Sequence, residues 1–75
     1  MERLMEILKE IDDTVDYGRE KALIDNGIWD SFAVITLIGE LEEAFGVRIA
    51  PAQIVPRNFN SAEAIWDMVR KLQEA

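Results

Sequence analysis

The sequence predicts an all-α fold, a small four-helix bundle with three main helices, one short helix and a long first loop. Apolar residues recur at helical spacing in three separate segments. No segment alternates polar and apolar residues for long enough to form a paired strand. Because 75 residues leave room for one small domain only, we expect residues 1–75 to form it.

The first helix is predicted over residues 2–16, where apolar residues form one stripe and charged residues cover the other side. The stripe consists of Leu4, Leu8, Ile11 and Val15. After it the periodicity fades, and the residues around Gly18 and Gly27 have the composition of turns. We expect Leu23 and Ile24 to pin this long loop to the core. Connections of this length are more often functional than idle.

The second helix is predicted over residues 31–45, which carry the strongest helical periodicity in the chain. Its stripe consists of Val34, Leu37, Ile38, Leu41 and Phe45. Gly46 follows directly and is suited to the left-handed conformation that ends many helices. Residues 47–49 alternate like a strand, but three residues without a partner strand favour a connector.

A short helical turn and a final helix complete the prediction. Pro51 is expected to open the turn and Pro56 to close it. Asn60 is predicted to cap the last helix, with Glu63 three residues later as in a capping box. The stripe of this helix consists of Ala62, Ile65, Val69 and Leu72, with Trp66 at the edge of the core. Phe59 is expected to fill the core ahead of the helix.

Composition excludes several classes of function. Fifteen acidic residues against eight basic ones give a net charge of −7, which repels phosphate backbones and anionic lipids. The chain contains no Cys and no His, so thiolate metal sites and Ser-His-Asp triads cannot be built. Residues 12–23 come nearest to a calcium loop, but Tyr17 stands where Gly is required and Leu23 where Glu is required. The sequence has no pattern of a signal peptide or a membrane span, so we expect a cytoplasmic protein that does not enter membranes. We also expect that it is not an enzyme and binds no metal. Its acidic surface favours basic protein partners.

The start of the second helix carries the chemistry. Asp30 is predicted to be its N-cap, with Trp29 and Val34 in the two positions of a hydrophobic staple. Ser31 then has a hydroxyl that the cap does not require, beside free N–H groups at the positive end of the helix dipole, where a phosphate is held well. The alternative is that Asp-Ser before an apolar run is an ordinary helix start.

Phe32 is expected on the side of this helix opposite the core, together with Thr36, Gly39 and Glu43. An aromatic residue beside a free serine suggests a contact surface. In the alternative, the short third helix or the long loop covers Phe32.

Residues 23–32, LIDNGIWDSF, and residues 40–46, ELEEAFG, resemble the acyl carrier protein family. The resemblance runs from the first helix to the end of the chain and implies the fold of that family. It also implies that Ser31 carries 4′-phosphopantetheine through a phosphodiester, with Asp30 beside it. The terminal thiol of that cofactor holds an acyl or aminoacyl group as a thioester. Ser61 has similar local chemistry, but the family pattern does not match there, and we expect it to belong to the start of a helix.

Finer features resemble the stand-alone D-alanyl carrier proteins. These are Gly27 four residues before the serine, the Asp-Ser-Phe motif, and residues 57–61 before the last helix. The chain departs from fatty-acid carriers at Ala33 and Thr36, where those proteins usually have acidic residues. The resemblance therefore implies cargo loaded by an adenylate-forming ligase. Carriers of specialised fatty-acid, polyketide or nonribosomal peptide synthesis remain an alternative.

The resemblance also implies partners, namely a phosphopantetheinyl transferase, the ligase, and a downstream acyltransferase or synthase. Asp30, Glu40 and Glu43 are expected to steer basic partner surfaces, with Phe32 as a local anchor and Thr36 on the same side. Alternatively, the carboxylates form a solvated face. We expect a monomer. The rival hypothesis from another class is an acidic helical interaction module that carries no cofactor.

Overall fold

The computed structural model describes residues 2–74, so that both ends of the predicted domain lie outside the described residues. The helices are α1 (Glu2–Ile11), α2 (Ser31–Phe45), α3 (Pro56–Phe59) and α4 (Ala62–Glu74), with a 3₁₀ turn at Pro51–Gln53. No strand occurs within the described range. The predicted all-α fold of three long helices and one short one is therefore confirmed.

The core lies between α1, α2 and α4, and α3 packs against α4. The largest fully buried side chains are Leu4, Ile7, Leu8, Leu23, Leu37, Leu41, Phe59, Ile65 and Val69. Leu23 anchors the long loop, as predicted, and Phe59 fills the core ahead of α4. Trp66 is half-buried and packs edge-to-face against Phe45, with ring centroids 5.8 Å apart, which confirms its place at the core edge.

The predicted extent of the first helix was wrong, because α1 ends at Ile11 rather than near residue 16. The Asp12 carboxylate accepts hydrogen bonds from the Thr14 hydroxyl at 2.6 Å and the Thr14 N–H at 2.9 Å, which hold its pKa below the ordinary value. This local turn competes with helix geometry. The Tyr17 hydroxyl lies 2.9 Å from the Leu8 carbonyl oxygen and 2.6 Å from that of Asp12. A loop side chain thus satisfies the end of α1.

The second helix has its predicted bounds. Gly46 adopts φ 63° and ψ 34°, and its N–H donates to the Glu42 carbonyl oxygen at 3.0 Å. The Glu42 carboxylate accepts the Ile49 N–H at 2.9 Å, which ties the segment after the helix back to it. That segment is the predicted connector and not a strand.

The prediction for the two prolines was half wrong. Pro51 opens a helical turn as expected, but the turn ends at Gln53. Pro56 begins α3 instead of ending the preceding turn. Proline suits this position because the first residue of a helix needs no N–H donor.

The predicted cap of the last helix was also wrong. Ser61 caps α4, since its hydroxyl oxygen accepts the Ala64 N–H at 3.0 Å. Its assignment to the start of a helix is therefore confirmed. Asn60 instead directs its side chain to the long loop, where the carboxamide oxygen accepts the Ile24 N–H at 3.0 Å.

Candidate functional site

Asp30 is the N-cap of α2, as predicted from the sequence. Its backbone is extended, at φ −91° and ψ −179°, and its carboxylate accepts the Ala33 N–H at 2.9 Å. Its carbonyl oxygen accepts the Val34 N–H at 3.1 Å, which closes the first turn. One residue thus supplies both the cap and the first helical hydrogen bond.

Ser31 is exposed and begins the helix. Among residues 2–74, no group hydrogen-bonds to its hydroxyl, because Asp30 already performs the capping. The N–H groups of Ser31 and Phe32 also have no partner within that range. A nucleophilic oxygen and two free donors therefore meet at the positive end of the α2 dipole, where an anionic phosphodiester is stabilised.

The loop approaches this site through a tight turn and a buried indole. Gly27 has φ +70°, and its N–H donates to the Ile24 carbonyl oxygen at 3.0 Å. Glycine adopts this backbone conformation without the strain that a Cβ introduces. The backbone N–H of Trp29 donates to the Leu23 carbonyl oxygen at 3.1 Å, and only 3% of Trp29 is exposed. The last residue before the cap is thereby fixed by both backbone and core.

Trp29 also packs against Tyr17, with ring centroids 6.0 Å apart and an interplanar angle of 71°. Burial raises the pKa of Tyr17 to about 12, because the phenolate loses hydration in this setting. The Trp29 indole N–H is buried and has no hydrogen-bond partner within the described range. The buried rings of Tyr17 and Trp29 thus pack together in the loop that leads into α2.

An apolar groove of about 380 Å³ opens beside Ser31. It runs between the long loop, α2 and the segment that leads into α3. Its lining consists of Ile24, Trp29, Asp30, Ser31, Val34, Ile35, Ile38, Ile54, Val55, Pro56 and Phe59. Asp30 and Ser31 are the only residues in this lining whose side chains carry oxygen atoms. Trp29 and Val34, predicted as a staple, share its wall.

Two members of the groove wall, Ile35 and Ile54, were missed in the sequence. They are 68% and 44% exposed. Ile35 lies four residues after Ser31 and therefore one helical turn along the same face, a spacing that would have identified it. Ile54 reaches the groove only through the tertiary fold, and no local pattern marks it.

The residues predicted for partner contact fall into two neighbouring groups. Phe32, Thr36 and Glu40 border one shallow depression next to the end of α1. Phe32 is 77% exposed, so the short helix and the loop do not cover it. Glu43 is exposed and lies with Glu40 in an adjoining depression beside Arg3. The predicted residues therefore share one side of α2, with Glu40 in both depressions.

Between residues 2 and 74, no three carboxylate side chains converge as a metal site would require. No helix in the same range has the length and apolar character to cross a membrane.

The chain is similar to known proteins over most of its length. A sequence model of the family "Phosphopantetheine attachment site" matches residues 2–69. The D-alanyl carrier protein of Lactococcus lactis subsp. cremoris is 32% identical over 72 residues, which cover 93% of this chain and 91% of that protein. The D-alanyl carrier protein of L. lactis subsp. lactis is 28% identical over 75 residues, covering 97% and 95% of the two chains. No solved structure gives a significant match.

Proposed function

Because the chain belongs to the phosphopantetheine attachment site family of carrier proteins, we propose that Ser31 is the residue that carries its 4′-phosphopantetheine. The observation that carries this proposal is the exposed Ser31 hydroxyl, which is left without a partner in the described range by the Asp30 cap. When bound, the cofactor supplies a thiol that holds cargo as a thioester.

The residues around Ser31 suit this group. The free N–H groups of Ser31 and Phe32 favour a phosphodiester at the helix start. Asp30 keeps its carboxylate on the Ala33 N–H at 2.9 Å, so that it shapes the site without occupying the serine. The groove beside Ser31 offers apolar surface to whatever the serine bears.

In the attachment step, the Ser31 hydroxyl oxygen attacks the β-phosphorus of coenzyme A. The new oxygen–phosphorus bond forms as the phosphoanhydride bond breaks, and adenosine 3′,5′-bisphosphate leaves. The chain has no His, and the Asp30 carboxylate is committed to its cap, so the base that takes the hydroxyl proton belongs to the transferase. The chain acts as substrate and scaffold and is not itself an enzyme.

The proposed cargo is D-alanine, loaded by an adenylate-forming ligase and passed to a downstream acyltransferase. Support comes from the D-alanyl carrier proteins that share 28–32% identity with nearly the whole chain. The spacing of Gly27 and the Asp-Ser-Phe motif agree with that group. We propose that residues 1–75 act as one monomeric carrier domain in the cytoplasm, where coenzyme A serves the transferase.

A second candidate cargo is an apolar acyl group. D-alanine has one methyl group and needs no apolar cavity, whereas the groove of about 380 Å³ beside Ser31 could shelter several methylene groups. Loading by purified ligases with D-alanine and with medium-chain fatty acids distinguishes the two. Thioester formation with D-alanine alone supports the first cargo, and acylation by fatty acids alone supports the second.

The proposed partner surface consists of Phe32, Thr36, Glu40 and Glu43. Charge on this side favours basic partners at long range, while the exposed Phe32 ring gives short-range apolar contact. On this proposal, Phe32→Ala raises the KM of the ligase for the carrier while leaving helix content unchanged. Ile28→Ala, at an exposed position before the cap, is a control.

Attachment itself is tested by mass spectrometry. The purified chain is incubated with coenzyme A and a phosphopantetheinyl transferase of broad specificity. One phosphopantetheine group should be added, and Ser31→Ala should accept none. Ser61→Ala is the matched control and should accept the group. An unmodified wild-type chain, or a modified Ser31→Ala chain, contradicts the proposal.

A further inference from the structure

Asn60, the residue after α3, is joined to the long loop by a set of hydrogen bonds. Its carbonyl oxygen accepts the Leu23 N–H at 2.8 Å. Its carboxamide oxygen accepts the Ile24 N–H at 3.0 Å and the Asp25 N–H at 3.1 Å. Its carboxamide N–H donates to the Asp25 carboxylate at 3.1 Å. Backbone and side chain of one residue therefore hold three consecutive loop residues.

These bonds are how the loop is attached to the α3–α4 end of the fold. In the part of the chain that the structure describes, no other hydrogen bond joins the loop to α3 or α4. The ion pair of Lys21 with Glu63, at 3.7 Å, is highly exposed and contributes little. Loss of the Asn60 carboxamide would leave one backbone hydrogen bond and the apolar contacts of the loop.

The attachment continues along the backbone to the site. Leu23 donates its N–H to Asn60 and accepts the Trp29 N–H at its carbonyl oxygen, at 3.1 Å. Trp29 directly precedes the Asp30 cap and Ser31. Ile24, held by the Asn60 carboxamide, also lines the groove beside Ser31. Two hydrogen bonds through Leu23 therefore connect Asn60 to the residue that leads into the helix start.

Group transfer to Ser31 depends on where this helix start lies. The hydroxyl must reach the phosphorus of a coenzyme A held by another protein, and a misplacement of about 1 Å can cost on the order of a hundredfold in rate. A loop released from Asn60 would sample more arrangements before Ser31, and fewer of them would fit the transferase.

We propose that Asn60 is a positioning residue for phosphopantetheine transfer to Ser31, its carboxamide acting through Ile24 and Asp25 on the loop that leads to Trp29. This inference rests on the proposed attachment at Ser31. Asn60 touches neither the serine nor the cofactor's attachment point. Its contribution is to keep the loop before α2 in the arrangement that presents the hydroxyl.

The test measures kcat/KM for transfer from coenzyme A in a set of variants. Asn60→Ala should lower kcat/KM about tenfold, because three of the bonds to the loop are removed. Asn60→Asp should also lower it, since a second carboxylate then faces that of Asp25. The double variant Asp25→Asn/Asn60→Asp restores a donor and an acceptor in reversed positions and should return kcat/KM to within about twofold of wild type.

Asn58→Ala is the matched control. The Asn58 carboxamide N–H donates to the Gln53 carbonyl oxygen at 2.8 Å, so this change removes an amide hydrogen bond from the same region without touching the loop. It should transfer at the wild-type rate when all variants are assayed at a temperature where circular dichroism shows them folded. A purely structural role would make the Asn58 and Asn60 variants alike.

Two results would overturn the inference, namely a wild-type rate in Asn60→Ala or no recovery in the double variant. Failure of the proposed attachment is different, because then the wild-type chain accepts no group or Ser31→Ala still accepts one.

Discussion

The starts of α2 and α4 place serine in opposite circumstances. At α2 the cap is Asp30, and Ser31, one residue later, is exposed with a hydroxyl that has no partner in the described range. At α4 the serine itself is the cap: Ser61 is only 8% exposed, and its oxygen accepts the Ala64 N–H at 3.0 Å. The same side chain is therefore exposed at one helix start and buried as a cap at the other.

The difference arises from the residue before each serine. Asp30 turns its carboxylate inward to the first turn of α2 and so releases Ser31. Asn60 stands in the corresponding place before Ser61, but its side chain is engaged with the loop residues Ile24 and Asp25. The cap of α4 therefore falls to Ser61. A polar pair at a helix start leaves a free hydroxyl only when its first member does the capping.

Removing each hydroxyl in turn tests whether the two serines differ in this way. Ser31→Ala should lose all phosphopantetheine transfer and change the free energy of unfolding by less than about 0.5 kcal/mol. Ser61→Ala should keep transfer and lose about 1 kcal/mol of stability, because a buried cap is removed. Urea unfolding and mass spectrometry of the same samples measure both effects. A large stability loss in Ser31→Ala would show that its hydroxyl is not free.

Local sequence patterns predict the start of α2 but not that of α4. Asp30, Ser31 and the bounds of α2 follow from a cap residue, an apolar stripe and Gly46, all of which act within a few residues. The true cap of α4 could not be predicted that way, because Asn60 is engaged by loop residues about 35 positions earlier in the chain. Long-range contacts therefore determine that Ser61, and not the adjacent Asn60, caps α4.

The same limit applies to α1 and to the groove. Helical spacing through Val15 predicted a longer α1, but Tyr17 folds back onto the carbonyl oxygens of Leu8 and Asp12. The exposed Phe32 side followed from helix geometry. Ile54 joins the groove beside Ser31 only because the tertiary fold brings the segment before α3 against α2.

Substitution of Asp30 tests whether the residue before Ser31 keeps the serine hydroxyl free. Asp30→Ala should lose about 1 kcal/mol of stability and also slow transfer, because Ser31 becomes the nearest oxygen that can cap α2. Asp30→Asn retains an oxygen acceptor at the cap and should stay close to wild type in stability. Urea unfolding and transfer kinetics report the two effects. If Asp30→Ala transfers at the wild-type rate, the cap does not control the serine.

The smallest expected effect concerns a third helix end, which a loop side chain satisfies from a distance. The Tyr17 hydroxyl lies by the carbonyl oxygens of Leu8, in the last turn of α1, and of Asp12, the residue after the helix. Tyr17→Phe should lose on the order of 1 kcal/mol at neutral pH. Burial raises the pKa of Tyr17 from 10.0 to about 12.

Since the raised pKa favours the neutral phenol in the folded chain, the contribution of Tyr17 is complete below pH 10, where the phenol is neutral in both states. Between pH 10 and 12 the unfolded chain ionises first, so stability falls. The free energy of unfolding is measured by urea denaturation across this range for wild type and Tyr17→Phe. Because the lysines titrate at similar pH in both chains, the difference between the two reports the phenol alone. The gap between wild type and variant should narrow as pH rises. A constant gap would mean that the phenol ionises alike in the folded and unfolded chains, and no gap at any pH would mean that Tyr17 serves the end of α1 only as an aromatic ring.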